Sequence, residues 1–81
     1  MKGKMDALLR LFNENMDNCN ISMKHEREDY VFIFDFKISL AVYTIRRIIT
    51  REEGLNNTLN ELYEDTLEDV MASLFEEIIE A

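Results

Sequence analysis

The side chains best suited to nucleophilic or acid–base chemistry are few in this sequence. Cys19 is the only cysteine and His25 the only histidine among 81 residues. A catalytic nucleophile needs a base within hydrogen-bond reach and a third group that orients the base. On a single strand, the spacing of these two residues would put them on one face but about 20 Å apart. We therefore expect no Cys–His pair, and interpret Cys19 as a buried structural thiol and His25 as a partly exposed strand residue.

Metal and phosphate chemistry are also weakly supported. One Cys and one His do not make a four-ligand zinc site, and the acidic stretch lacks the alternating ligands and central glycine of a calcium loop. There is no glycine-rich phosphate loop. Asp35 stands alone in an aromatic run, either buried or, as we favour, at a strand edge or paired with Lys37 or an arginine. The sequence thus predicts no enzyme, no metal and no cofactor.

The remaining chemistry is charge, and its distribution along the chain is uneven. Residues 1–51 carry seven acids and nine bases, a net of +2, whereas residues 52–81 carry ten acids and no base, a net of −10. Such a sign asymmetry over a structured segment is informative about binding partners. With a net charge of −8, direct binding of nucleic acid is disfavoured, because phosphates would be repelled.

The elements that must position these charges follow from hydrophobic periodicity. Residues 4–17 have apolar side chains at helical spacing, which predicts a first helix. Residues 21–26 alternate and residues 30–36 are aromatic and β-branched, which predicts a β-hairpin with Glu28 and Asp29 at its tip. The second strand is apolar on both faces, so we expect helices or another protomer to cover both sides.

Residues 39–53 are ambiguous between helix and strand. Their isoleucine, valine and threonine content favours a strand. We predict a helix instead, because the polar residues Arg46, Arg47, Thr50 and Arg51 would gather on one helical face. Ser39 could cap its start and Gly54 could end it. We expect the three arginines to pair with acids of the last helix, within one protomer or across a dimer.

Residues 58–80 are the clearest element. Thr58 and Glu61 have the spacing of a capping box at a helix start. A broad apolar stripe follows, in a helix about 34 Å long. Such a helix is long for so small a chain, so we expect part of its stripe to extend past the core and to invite a second copy.

The acids of this helix are predicted to lie opposite its apolar stripe and to contact a partner. They are Glu61, Glu64, Asp65, Glu68, Asp69, Glu76, Glu77 and Glu80. From the first to the last is about 28 Å along the helix axis, or about eight base pairs of duplex DNA. Two rows of carboxylates on a rigid rod could therefore stand in for phosphates. The alternative is that this face binds no partner, is only solvated and aids solubility.

In size, charge and organisation, mostly over residues 52–81, the chain resembles the phage-encoded acidic host-takeover proteins that mimic DNA. This class includes inhibitors of uracil-glycosylases, restriction enzymes, CRISPR nucleases and the histone-like protein HU. The HU inhibitors are the members to test first, because HU is a basic dimer that embraces duplex DNA. It has no shared motif, so no residue role is carried over. The resemblance implies a small, often dimeric inhibitor of a basic DNA-binding protein, in the cytoplasm of a host cell. The slightly basic residues 1–51 depart from the pattern.

The sequence as a whole predicts one α+β domain over residues 1–81: a helix, a β-hairpin and two helices, as a homodimer. A lone cysteine, no signal peptide and no long apolar run predict a cytoplasmic location with no membrane contact. The expected partner is a basic DNA-binding protein, with which the chain would compete against nucleic acid. The alternatives are an adaptor or antitoxin-like module that binds through apolar surface, and a small enzyme built on Cys19 and His25.

Overall fold

Helices form one layer of the protein and a three-stranded antiparallel sheet forms the other. The structure, a computed structural model, describes residues 1–80. The elements in chain order are α1 (Lys2–Asn15), β1 (Cys19–Glu26), β2 (Asp29–Ile38), β3 (Ala41–Ile49), α2 (Arg51–Asn56) and α3 (Leu59–Glu80). The strands follow one another in the order β1-β2-β3. The predicted α+β class is therefore confirmed, as are the first helix, the hairpin and the long last helix.

The central strand β2 divides its side chains between the two faces of the sheet. Tyr30, Phe32 and Phe34 are at most 3% exposed and belong to the core beneath the helices. On the same face, β1 contributes Ile21 and β3 contributes Ile45, which both lie opposite Phe34 in the register. Strand alternation alone produces this arrangement, because successive side chains point to opposite faces.

Helix α1 packs on this face through one side. Met5, Leu8 and Phe12 are fully buried at spacings of three and four residues, as expected for an amphipathic helix. The ring of Phe12 meets Phe34 edge-on at a centroid distance of 5.1 Å and stacks on Tyr63 of α3, also at 5.1 Å. Phe12 thus joins α1, the sheet and α3 in a single core.

Within residues 1–80, no helix lies over the outer face of the sheet, so helices cover only one side of β2. Cover of the other side by a second protomer, the alternative expectation, stays a prediction. Val31 on this face is only 4% exposed, because side chains of the neighbouring strands surround it, whereas Ile48 of β3 is 53% exposed. Asp35 also lies on this face and accepts a hydrogen bond of 2.6 Å from the Thr44 hydroxyl.

The prediction of a helix over residues 39–53 is wrong. The segment forms β3, and only the short α2 follows it. Ser39 caps no helix but has a φ of 57° in the turn between β2 and β3. The actual helix cap is Thr50, whose hydroxyl accepts a hydrogen bond of 3.1 Å from the Glu53 amide, and Gly54 lies inside α2. The β propensity of isoleucine, valine and threonine prevails here because each of these side chains can pack against β2.

The hairpin between β1 and β2 turns one residue earlier than predicted. Glu26 pairs with Asp29, so the two-residue turn consists of Arg27 and Glu28. Arg27 has a φ of 57°, which is the left-handed region. Within residues 1–80, no helix combines the length and the apolar character needed to cross a membrane.

Candidate functional site

The start of α3 is fixed by the predicted capping box. The Thr58 amide donates a hydrogen bond of 2.8 Å to the Glu61 carboxylate, and the Glu61 amide donates one of 3.2 Å to the Thr58 hydroxyl. The hydrogen bond from the Thr58 amide is the main cause that lowers the pKa of Glu61, and that from the Thr58 hydroxyl comes second. Glu61 therefore ionises more readily than an ordinary glutamate, but its carboxylate is already hydrogen-bonded to the Thr58 amide at the start of α3.

The buried side of α3 is a narrow line of residues four apart. Leu62, Thr66, Val70 and Leu74 are at most 5% exposed. Four-residue spacing rotates by about 40° per step at 3.6 residues per turn, so this line winds by about 120° around the helix from Leu62 to Leu74. The predicted apolar stripe is confirmed for Leu62, Val70 and Leu74 and for the half-buried Leu59, Tyr63 and Leu67, whereas the buried Thr66 was not part of it.

All eight acids predicted as contact residues are solvent-exposed, and they fall into two groups. The first group is Glu61, Glu64, Asp65, Glu68 and Asp69, and the second is Glu76, Glu77 and Glu80. The spacing of Glu61, Glu64, Asp65 and Glu68 places them together on one face, about 10 Å long. We call these four residues the acidic patch.

The two groups do not form the continuous carboxylate rows that the sequence suggested. No acid lies between residues 70 and 75, and the second group is rotated by about 120° around the helix axis from the acidic patch, at 3.6 residues per turn. Continuing the face of the acidic patch along α3 leads to Ala72, Phe75 and Ile79. Phe75 is 64% and Ile79 76% exposed. The outward face of α3 is therefore acidic in its first half and apolar in its second half.

The arginines neutralise only one of these acids. Arg47 binds Asp69 at 3.1 Å and Glu53 at 2.8 Å, and its pKa is raised, chiefly by the hydrogen bond to Glu53. Arg51 binds Glu28 of the hairpin turn at 3.6 Å. Arg46 lies on the outer face of the sheet, because adjacent strand residues point to opposite sides.

Within one protomer, the predicted pairing of the three arginines with the last helix is thus found for Arg47 alone; pairing across a dimer stays a prediction. The other seven acids have no salt bridge within residues 1–80: Glu61, Glu64, Asp65, Glu68, Glu76, Glu77 and Glu80. Like charges at these spacings destabilise a helix by a few tenths of a kcal/mol per pair. A partner that supplied positive charge would remove this repulsion.

A second surface is the end of the molecule where α3 extends beyond its last buried residue, Leu74. We call it the apolar end, and it consists of Ile38, Leu40, Met71, Phe75, Ile78 and Ile79, which are 37% to 103% exposed. The expected extension of the stripe past the core is met by Ile78, which lies beyond Leu74 and is 40% exposed. The sequence interpretation missed Phe75 and Ile79 as surface residues, although their angular position relative to Leu62 and Thr66 places them opposite the core.

The residues with conventional chemistry are not brought together. Cys19 and His25 are at opposite ends of β1, and the His25 ring stacks on Tyr30 at a centroid distance of 4.2 Å. Burial, and secondarily the charge of Asp35, raises the pKa of the Cys19 thiol from 9.0 to about 11. No group of three or more His, Cys, Asp or Glu side chains within residues 1–80 is placed to hold a metal ion.

Comparisons with known proteins provide no relative from which a role could be inferred. No family model, no curated protein and no solved structure matches the chain.

Proposed function

We propose that this chain is a binding protein that applies the acidic patch of α3 to a basic nucleic-acid-binding protein and so excludes nucleic acid from it. The observation that carries the proposal is the set of exposed acids on α3 that have no salt bridge within the described chain. They lie on a helix of 22 residues whose first turn is fixed by a capping box. Their positions therefore need little reordering on binding, which favours affinity.

The charge of the whole segment supports the same partner chemistry. Residues 52–81 carry ten acids and no base, so their field attracts a cationic surface from a distance. Such attraction accelerates association and weakens as salt is added. The extent of the acidic patch, about 10 Å, corresponds to about three base pairs of duplex at 3.4 Å each. It can replace a short run of phosphates but not the eight base pairs that the sequence suggested.

A competition experiment with the histone-like protein HU and a labelled DNA duplex tests this proposal. The chain should displace the duplex, and the variant Glu64→Gln/Asp65→Asn/Glu68→Gln should do so about five- to tenfold less well, because three lost charge contacts of about 0.3–0.5 kcal/mol each sum to about 1–1.4 kcal/mol. Glu61 and Asp69 are left intact, since one caps α3 and the other binds Arg47.

The matched control removes three exposed acids outside α3 and so changes the net charge equally. It is Asp6→Asn/Glu14→Gln/Glu26→Gln. If both triple variants lose displacement equally, only net charge matters and the assignment to α3 is wrong. If the unaltered chain displaces no DNA from HU or from a basic defence nuclease tested in the same way, the DNA-mimic proposal itself is wrong.

The second candidate function is that of an adaptor-like module that binds through apolar surface. It is supported by the exposed apolar side chains of the apolar end. Binding through such a surface would persist at high salt, because apolar burial is not screened. In that case the triple variant in the acidic patch would bind the partner as well as the unaltered chain does, and the acids would serve solubility alone.

A further inference from the structure

The apolar end combines a ridge and a groove. The ridge is the last part of α3, where Phe75, Ile78 and Ile79 are exposed by 64%, 40% and 76%. Beside it lies a groove with a volume of about 570 Å³, whose apolar lining comes from Met16, Phe36, Ile38, Met71 and Leu74. A groove of this size is within the range of about 300–1,000 Å³ that receives sizeable apolar groups.

The exposed apolar area is too large to be ordinary surface. Six large side chains exposed to this extent present on the order of 700 Å² of surface, since a fully exposed side chain of this size presents roughly 150–250 Å². The largest apolar patch of a typical monomer is about 300–600 Å². A standard interface buries about 800 Å² on each partner. The apolar end therefore has the area that one side of a stable pair needs.

Ridge and groove lie on the same chain, at the same end, which is what an isologous pair requires. In a two-fold symmetric pair, the ridge of each copy can enter the groove of the other, so that one contact is made twice. To fill the apolar end in the same way, any other partner would need a groove of its own for the ridge and a ridge of its own for the groove.

The charges at this end also suit a second copy. Glu76, Glu77 and Glu80 lie on the same part of α3 but mostly on the side turned away from Phe75 and Ile79, and the groove is bordered by Lys37. Asp17 also borders the groove, so the rim offers one base against one acid rather than a basic surface. This makes the end a poor match for nucleic acid and a fair match for a ridge that is mainly apolar.

We propose that two copies of this chain pair through the apolar end, with Phe75 and Ile79 of each copy seated against the groove beside Ile38 of the other. Lys37, at the rim of the groove, then offsets part of the net charge of −8 that the second copy carries. The acidic patch begins at Glu61 and ends at Glu68, about 10 Å along the helix from Phe75. It stays free in the pair, so the dimer presents two acidic patches. The pairing does not depend on the proposed function.

Sedimentation equilibrium of the unaltered chain over a concentration series tests the pairing directly. We expect a monomer–dimer equilibrium whose dissociation constant does not rise with salt, because each copy carries a net charge of −8 and added salt screens the repulsion between the copies. Binding to a basic protein has the opposite salt dependence. Failure of the pairing and failure of the proposed function are thus separate results.

Substitutions on the ridge and the groove locate the interface. Phe75→Ser and Ile38→Ser should each raise the dissociation constant about tenfold or more, as expected for anchors of an apolar interface. Lys37→Glu, at an exposed position that does not affect the core, should raise it several-fold. The matched control is Leu55→Ser in α2, since Leu55 is 56% exposed and lies outside the apolar end; it should change nothing.

Mixing the ridge variant with the groove variant tests the reciprocal geometry. A mixed pair of Phe75→Ser and Ile38→Ser retains one intact ridge-in-groove contact, whereas neither variant alone can form one. The mixture should therefore dimerise more tightly than either variant by itself. The proposal is overturned if the unaltered chain stays monomeric, if Leu55→Ser weakens the pair as much as Phe75→Ser does, or if the mixture shows no gain. A chain that stays monomeric would assign the apolar end to a different partner.

Discussion

Among single residues, Thr66 has a buried polar group that makes no hydrogen bond in the described part of the chain. Its side chain is fully buried in α3, and its hydroxyl has no hydrogen-bond partner within residues 1–80. A buried hydroxyl without a partner costs roughly 1–3 kcal/mol. We expect Thr66→Val to raise the free energy of unfolding by about 1 kcal/mol, because it replaces the hydroxyl with a methyl group of similar size and similar helix propensity. Urea denaturation measures this change.

The same substitution at Thr44 is the matched control for Thr66. The Thr44 hydroxyl donates a hydrogen bond of 2.6 Å to Asp35, so Thr44→Val removes a satisfied interaction and should not stabilise the protein. Equal effects of the two substitutions on the free energy of unfolding would mean that the buried Thr66 hydroxyl does not destabilise the protein.

Cys19 gives a prediction about reactivity and pH. Because burial, helped by Asp35, raises its pKa from 9.0 to about 11, the thiolate is scarce in the folded chain. At a pH near 9, alkylation by iodoacetamide should be about fiftyfold slower in the folded than in the urea-unfolded chain, since the thiolate is the nucleophile. Asp35→Asn should speed the folded reaction modestly, because it removes the smaller of the two causes. Comparable rates in the folded and unfolded chain would show that the thiol is unperturbed.

The sign of the linkage for Cys19 follows from the raised pKa. The folded state holds the thiol proton more tightly than the unfolded state does. The stabilising contribution is therefore complete below the unfolded pKa of 9.0 and is lost as the pH rises towards about 11.

At the scale of elements, Arg47 joins β3 to both later helices. It binds Glu53 of α2 and Asp69 of α3, and its side chain is only 20% exposed. We expect Arg47→Gln to lower the free energy of unfolding by about 1–2 kcal/mol, because it removes charge-assisted hydrogen bonds to two carboxylates, of which that of Glu53 is half-buried and that of Asp69 is exposed. Urea denaturation again provides the measurement.

The neighbouring arginine is a control for that result. Arg46 lies on the opposite face of the sheet and has no salt bridge within residues 1–80, so Arg46→Gln should stay within about 0.5 kcal/mol of the unaltered chain. If the two variants are equally stable, Arg47 does not hold the elements together.

The turn between β1 and β2 has a backbone conformation that leads to another prediction. Arg27 occupies the first of the two turn positions with a φ of 57°, where a type II′ turn favours glycine. Arg27→Gly should therefore stabilise the protein by about 0.5–1 kcal/mol, as the steric cost of the left-handed region disappears. Glu28→Gly, at the turn position without a positive φ, should instead be neutral or destabilising. Thermal unfolding of both variants distinguishes the two outcomes.

Elements with a clear period and local caps could be predicted from the sequence. The capping box at Thr58 and Glu61 and the spacing of Met5, Leu8 and Phe12 are local signals, and both helices are where these signals place them. The strand β3 was not predictable in the same way, because its isoleucines fit either period. Pairing with β2 decides between them, and strand pairing is a non-local contact that the segment alone does not reveal.

The candidate site shows the same division between local and non-local information. The exposure of the acids on α3 follows from composition and could be predicted. Their separation into two groups follows from the gap between residues 70 and 75 and from helix geometry. Which group faces away from the core depends on the buried side of α3, and that side is defined by Leu62, Thr66 and Val70 rather than by the whole apolar set. The pairing of Asp69 with Arg47 required β3 to be a strand, because a helix would have placed Arg46 and Arg47 on one face.

At the scale of the whole molecule, the acidic patch and the apolar end are separated along α3. The acidic patch occupies the first part of α3 and the apolar end occupies the last part. This separation permits one chain to bind a basic partner through one surface and a second copy through the other. A dimer with two acidic patches would also bind a two-fold symmetric basic protein more tightly than a monomer does, since the second contact is intramolecular.

The most direct test of the central claim is the salt dependence of binding to HU, measured by titration calorimetry at roughly 50 and 200 mM salt. We expect the affinity of the unaltered chain to fall at least about tenfold between these two concentrations, because several exposed carboxylates contact a basic surface. Glu64→Gln/Asp65→Asn/Glu68→Gln should bind more weakly and with a smaller salt dependence. An affinity for HU that is the same at both salt concentrations, or no binding at either, would contradict the claim that the acids of α3 recognise a basic nucleic-acid-binding protein.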